Sequence, residues 1–342
     1  LPDMVEFERT LFNTATRYRS TIQIGRSHGQ HGEPTTFGRE MAVYVDRWGD
    51  GIERVKETTD RLRGKISSAM GTKSSLSLLG DPYELEREVL ASVGLTPARI
   101  STQIIHPEQW SYYYSAILVA FGVLNDLAND MRHLTRTEIG EIALEVPEGH
   151  GMSSIMTHKG LSEDGIVIGN PEDFENVCGQ YWGVTPHIIS VFRNQESEHN
   201  RDLRNSAAER YYKPTILDSF TYSVRRMNEA MKMVRANEDV MRSRVENKWN
   251  LLMEPASIAL ALYDEPDGQN YVRDLVKGGK NFRDALQTDP KLRQAILALP
   301  EDKQKIFENP VNYIGESERQ VDNVVSYWSQ RLSELEEGIM RR

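Results

Sequence analysis

The chain has 342 residues, of which 39% are hydrophobic and 27% charged, which fits a folded protein with a large core rather than a disordered or membrane-embedded chain. Its formal net charge of -10 argues against broad nucleic-acid binding, but a few cations focused in a cleft can still hold a small anionic substrate. A single cysteine, Cys178, excludes an internal disulfide framework, and no apolar run approaches a membrane span of roughly 18 residues, so a cytoplasmic location is expected.

In chain order, the first segment of chemical interest is Gly25-Arg26-Ser27-His28-Gly29-Gln30-His31-Gly32-Glu33-Pro34-Thr35-Thr36-Phe37-Gly38. Pro34 and the two threonines predict the start of a helix with a Thr as N-cap. A histidine on a glycine-rich turn before such a start can welcome an anion and exchange a proton near neutral pH, or it can simply hydrogen-bond its own turn. A helical apolar stripe follows at Met41, Val45, Trp48, Ile52, Val55, Thr59 and Leu62. A second runs through Ile117, Phe121, Leu124, Leu127, Met131 and Leu134.

Gly151-Met152-Ser153-Ser154-Ile155-Met156-Thr157-His158-Lys159 combines two hydroxyls, a lysine and a flexible glycine. It reads either as a solvated connector or as a closing loop whose lysine offsets charge and activates a serine. A fourth helix is expected from Phe174 to about Gln195, interrupted at Pro186. Ser206 and Glu209 have capping-box spacing, which predicts a helix beginning at Ser206, with Arg210 one turn on. That arrangement suits a phosphate seat as well as it suits an ordinary surface helix start. A third stripe comprises Leu217, Phe220, Val224, Met227, Met231 and Val234. Strand alternation is nearly absent, so the fold class is mainly α, a bundle of long helices. The pattern shortens after Trp249, which divides the chain into a central helical-bundle domain at 1–249 and a small helical C-terminal domain at 250–342.

Taken together, these segments resemble the fumarase/aspartase superfamily and, within it, the adenylosuccinate lyase family. The likeness covers essentially the whole chain. It rests on Gly25 to Gly38, Thr102-Gln103, Arg136-Thr137-Glu138-Ile139-Gly140-Glu141, and Ser153 to Pro171 with its continuation to Asn176. It rests also on Arg201, Asp202, Ser206 and Arg210, and on the Asn312-Tyr313-Ile314-Gly315 turn. The chain begins at Leu1 without methionine, and the resemblance implies that a further N-terminal domain precedes it.

The resemblance implies β-elimination of fumarate from a succinylated purine nucleotide, adenylosuccinate or also SAICAR, with Ser153 as base and His28 as acid. Lys159 and Asn170 would steady the substrate carboxylate, while Ser27, Gln103, Ser154 and Asn176 would position the succinyl and base portions. Arg201, Ser206 and Arg210 would hold the phosphate. It implies no metal or organic cofactor, and a homotetramer whose sites are each built from three subunits. A succinylated 2-aminopurine nucleotide or argininosuccinate as substrate, or a catalytically silent structural role, are the alternatives. Three departures from the family pattern stand out. Gly160 to Gly169 intervene between Lys159 and Asn170, Thr157 replaces the signature proline, and Pro107-Glu108 stands where many relatives have an arginine.

Overall fold

Long amphipathic helices dominate, as the apolar stripes require. A computed structural model describes residues 1–146, 168–263 and 265–340. Helix α1 (Pro2–Arg17) runs into an antiparallel hairpin of β1 (Ile22–Ser27) and β2 (Gln30–Thr36). Helix α2 (Phe37–Asp60) follows directly. Its N-cap is Thr36, whose hydroxyl accepts the Arg39 N–H at 3.1 Å, in line with the Pro-Thr-Thr expectation. The short parallel strands β3 (Arg63–Gly64) and β4 (Thr96–Pro97) flank α3 (Pro82–Ala91), after which α4 (Glu108–Leu134) runs back along the bundle. Strand β5 (Ile142–Glu145) is central in a small antiparallel sheet, between β6 (Ile168–Gly169) and β7 (Val234–Ala236). Helix α5 (Glu172–Val184), a 3-10 turn containing Pro186, and α6 (Ile188–Arg193) realise the interrupted fourth helix, and α7 (Arg204–Lys232) completes the bundle.

The stripes meet in one core. Met41, Val45, Trp48, Ile52 and Val55 of α2 are buried with Ile117, Phe121, Leu124, Leu127 and Met131 of α4, and with Phe220, Val224, Met227 and Met231 of α7. Phe121 packs edge-on to Tyr181 and Phe220, with ring centroids at 5.4 and 5.5 Å, a favoured aromatic arrangement. Val234, the last residue of the third stripe, is buried in β7 rather than in the helix.

After α8 (Glu238–Ser243), a second cluster of buried side chains forms within α9 (Met253–Tyr263), α10 (Gly268–Leu275), α11 (Phe282–Thr288) and α12 (Pro290–Leu297). Helix α13 (Glu301–Gln304) precedes the last helix, α14 (Ser317–Met340). Helix α14 leaves that cluster: Val321, Trp328, Leu332 and Leu335 are buried in the main core, where the helix packs on α1 and α2. The expected unit at 250–342 is thus divided between two cores, because its final helix carries a bundle-type stripe of its own.

One geometric consequence governs the site. Helix α4 has 27 residues and spans about 40 Å at ~1.5 Å per residue. The start of α2, the end of α4, the start of α5 and the end of α7 gather at the hairpin and the three-stranded sheet. The end of α2 and the starts of α4 and α7 lie at the opposite end.

Candidate active site

At the hairpin end, His28 and Gly29 form the two-residue turn, with φ of 55° and 70°. Positive φ at both positions is the type I′ geometry that matches strand twist, and it holds Ser27 and His28 at an exposed tip. A register irregularity falls between Ile24 and Arg26. Gly25 is required there, because a Cβ would stand 2.9 Å from the Glu33 carbonyl oxygen.

The hairpin is pinned from below by Glu141, which is fully buried. Its carboxylate accepts Gln23 Nε2 and Arg26 Nη1, each at 3.0 Å, and pairs with Arg244 Nε at 3.0 Å. The Arg136–Glu141 element therefore ends in the residue that locks the histidine turn to the body of the protein. Beside it, burial and then the Arg26 and Arg244 charges lower the pKa of His31 below its ordinary value. A cavity of about 540 Å³ lies between this hairpin, the start of α2 and the end of α4, lined in part by Arg26, His31, Tyr44, Asp130, His133 and Arg244.

Asn170 follows β6 at this same end and is half-buried. Asn176 is exposed on α5, where its Nδ2 donates to the Glu172 carbonyl at 2.8 Å. Ser153, Ser154 and Lys159 lie outside the described residues.

At the opposite end, a cleft of about 290 Å³ brings together Gln103 and Arg201, from the loops before α4 and α7, and Ser206, from the first turn of α7, along with Lys65, Trp110 and Glu209. Lys65 Nζ donates to the Gln103 carbonyl at 2.9 Å. Sequence reading passed over Lys65, although it sits in a polar, glycine-bounded loop, Gly64-Lys65-Ile66-Ser67-Ser68-Ala69-Met70-Gly71, whose composition offered a signal.

The expected capping box does not form. Helix α7 starts at Arg204, because the Asp202 carboxylate accepts the Arg204 N–H at 2.8 Å and satisfies the helix start two residues ahead of Ser206. Glu209 is spent on Asn194 Nδ2 at 2.6 Å and Lys213 Nζ at 3.0 Å. Arg210 is exposed and does not line the cleft. One subunit thus groups Gln103, Arg201 and Ser206 at one end, and Ser27, His28 and Asn170 at the other. Among the described residues, no group of three His, Cys, Asp or Glu side chains is disposed to hold a metal ion, and no helix is long and apolar enough to cross a membrane.

Comparison with known proteins agrees with this architecture. A family model described as Lyase matches residues 1–180. The adenylosuccinate lyase of Pyrococcus abyssi is 32% identical over 335 residues, covering 95% of this chain and 71% of the relative. That of Pyrococcus horikoshii is 30% identical over 333 residues, with the same coverage. Among solved structures, a fumarate lyase from Mesorhizobium sp. BNC1 matches with a TM-score of 0.78 at 22% identity, over 95% of this chain and 71% of the other. The 3-carboxy-cis,cis-muconate lactonizing enzyme from Pseudomonas putida matches with a TM-score of 0.78 at 21% identity, over 97% and 72%. The two structures speak for the fold, the family model and the curated relatives for the lineage, and with both in agreement the chain belongs to the lyase family of the fumarase/aspartase superfamily, on the side of the adenylosuccinate lyases.

Proposed function

We propose that the protein cleaves a C–N bond of a succinylated purine nucleotide and releases fumarate, with adenylosuccinate as first substrate and SAICAR as a second. The observation that carries this is the cleft holding Gln103, Arg201 and Ser206 in a chain 32% identical to an adenylosuccinate lyase. In this reading, the Ser153 alkoxide takes a proton from the carbon next to a succinyl carboxylate. The electron pair left behind spreads onto that carboxylate, which Lys159 and Asn170 stabilise. It then forms the double bond of fumarate as the C–N bond breaks, and His28 delivers a proton to the departing nitrogen. Ser27, Ser154 and Asn176 position the succinyl and base portions, Gln103 orients the nucleotide, and Arg201, Ser206 and Arg210 serve its phosphate.

Groups about 40 Å apart along α4 cannot act on one nucleotide within one subunit. The proposal therefore includes a homotetramer in which each site draws on three subunits. Tyr112 and Val119 on α4, Trp182 on α5 and Tyr211 on α7 are exposed apolar side chains of the kind such a bundle would cover. A cytoplasmic location accompanies the reading, since the one thiol, Cys178, is buried and free.

The test is fumarate release from adenylosuccinate by the purified full-length protein. Ser153→Ala and His28→Ala are each expected to lower kcat by about 100- to 10,000-fold, the range for loss of a positioned acid or base. No turnover by the wild type, or turnover indifferent to Ser153→Ala, overturns the proposal.

A further inference from the structure

Sequence reading assigned the phosphate to Arg201, Ser206 and Arg210. Within one subunit, however, the second cation lining the cleft with Arg201 and Ser206 is Lys65. Lys65 follows β3 and donates from Nζ to the Ser68 and Gln103 carbonyls, both at 2.9 Å. An ammonium has three N–H donors, so one remains for a further acceptor.

The acidic side chains lining the same cleft are already engaged. The Asp202 carboxylate accepts backbone N–H groups of Glu198 and Arg204, each at 2.8 Å, and the Arg204 guanidinium at 2.8 Å, which holds its pKa below the usual carboxylate range. Glu209 is held by Asn194 and Lys213. The side chains of Arg201 and Ser206 have no hydrogen-bond or ion-pair partner among the described residues. Lys65 is partly dehydrated and forms no ion pair among the described residues, and burial lowers its pKa, a cost that an incoming anion relieves. A cleft of about 290 Å³ admits one end of a nucleotide rather than the whole.

We propose that Lys65 is the third ligand of the phosphate seat, with Arg201 and Ser206, and that by holding the Gln103 carbonyl it fixes that residue to the same seat. The inference rests on the nucleotide reading above and deepens it. A phosphate oxygen accepts the third N–H of Lys65, while the other two keep the Gln103 loop in place.

Two measurements test it. The first compares KM for adenylosuccinate with KM for the succinylated nucleoside that lacks the phosphate. Lys65→Met is expected to raise the nucleotide KM by about 10- to 100-fold, the worth of one charge-assisted hydrogen bond, and the nucleoside KM by clearly less, through the loosened Gln103 loop alone. Lys65→Arg keeps most of the nucleotide affinity. An unchanged nucleotide KM, or an equal rise for the nucleoside, overturns the proposal.

The second measurement needs no turnover. Inorganic phosphate, compared with chloride at equal ionic strength, is expected to raise the Tm of the wild type and of Lys65→Arg but not of Lys65→Met. No shift in the wild type, or a shift retained by Lys65→Met, overturns it. If Lys65→Met is itself unstable, Lys65→Gln keeps a donor for the two carbonyls without the charge and takes its place in both comparisons. A protein that binds phosphate through Lys65 but leaves adenylosuccinate uncleaved refutes the catalytic reading and not this one.

Discussion

Glu8 is a costly side chain to bury in the core. It is fully buried on α1, and neither carboxylate oxygen has a hydrogen-bond partner among the described residues. Burial, and then the Asp46 carboxylate on α2, push its pKa well above the usual carboxylate range. Asp46 itself accepts the Trp328 indole N–H at 2.8 Å, so the charge that opposes Glu8 is fixed in place. A carboxyl whose folded pKa is raised is protonated in the native state at pH values where the unfolded chain has already ionised. It therefore makes no difference to stability below the unfolded value, about 4.3, and lowers stability progressively as pH rises from there toward the folded pKa. Glu8→Gln is accordingly expected to match the wild type near pH 4 and to exceed its Tm by a margin that widens as pH rises from there. A margin that does not change as pH rises would show that Glu8 ionises in the native state as readily as in the unfolded chain. The burial of Glu8 comes from the packing of α1 against α2, α7 and α14, a tertiary arrangement that no local feature of the chain announces. His28, in contrast, was legible: its glycine neighbour and the Pro-Thr-Thr that follows are local features, and local chemistry builds the turn.

The same division separates the elements that sequence periodicity revealed from those it missed. The stripes of α2, α4 and α7 were readable because each helix buries one face along nearly its whole length. The stripe of α14 was present too, at Val321, Val325, Trp328, Leu332 and Leu335 in steps of four and three. Its place in the main core was hidden by the short helices that precede it, which drew it into a separate unit. The β1–β2 hairpin gave no alternation because, from Ser27 to Glu33, its residues are exposed on both faces. The docking of α14 is itself testable at Gly49 of α2, where a Cβ would stand 2.4 Å from Trp328 Cδ2. On helix propensity alone, Gly49→Ala would stabilise by about 1 kcal/mol. Overpacking a rigid, fully buried indole costs about 1–3 kcal/mol, so the clash outweighs the propensity gain and the variant is expected to lose Tm. A gain in Tm would mean that Trp328 moves freely and that α14 is only loosely seated.

At the scale of the molecule, the division of the candidate site between two ends was already implied by the order of the motifs. The histidine turn precedes α2, Thr102-Gln103 precedes α4, Arg136–Glu141 follows α4, and Arg201–Ser206 leads into α7. With α2 running away from the hairpin and α4 and α7 running toward it, successive motifs fall at alternate ends. What the sequence could not supply was the length over which they are kept apart, because helix boundaries and the sheet joining β5, β6 and β7 depend on tertiary packing. If each site takes its hairpin end from one subunit and its phosphate cleft from another, two defective variants can repair one another. His28→Ala and Arg201→Ala are each expected to be nearly inactive when assayed far below the raised KM of the second. Mixed in equal amounts and allowed to exchange subunits, they form assemblies in which a site is intact when it receives a sound hairpin and a sound cleft from different chains. Random assortment makes that about one site in four, so the mixture recovers roughly a quarter of wild-type activity per site. Recovery no greater than the sum of the two separate variants would place His28 and Arg201 in the same functional unit of a single chain. A separation of about 40 Å along α4 forbids that arrangement.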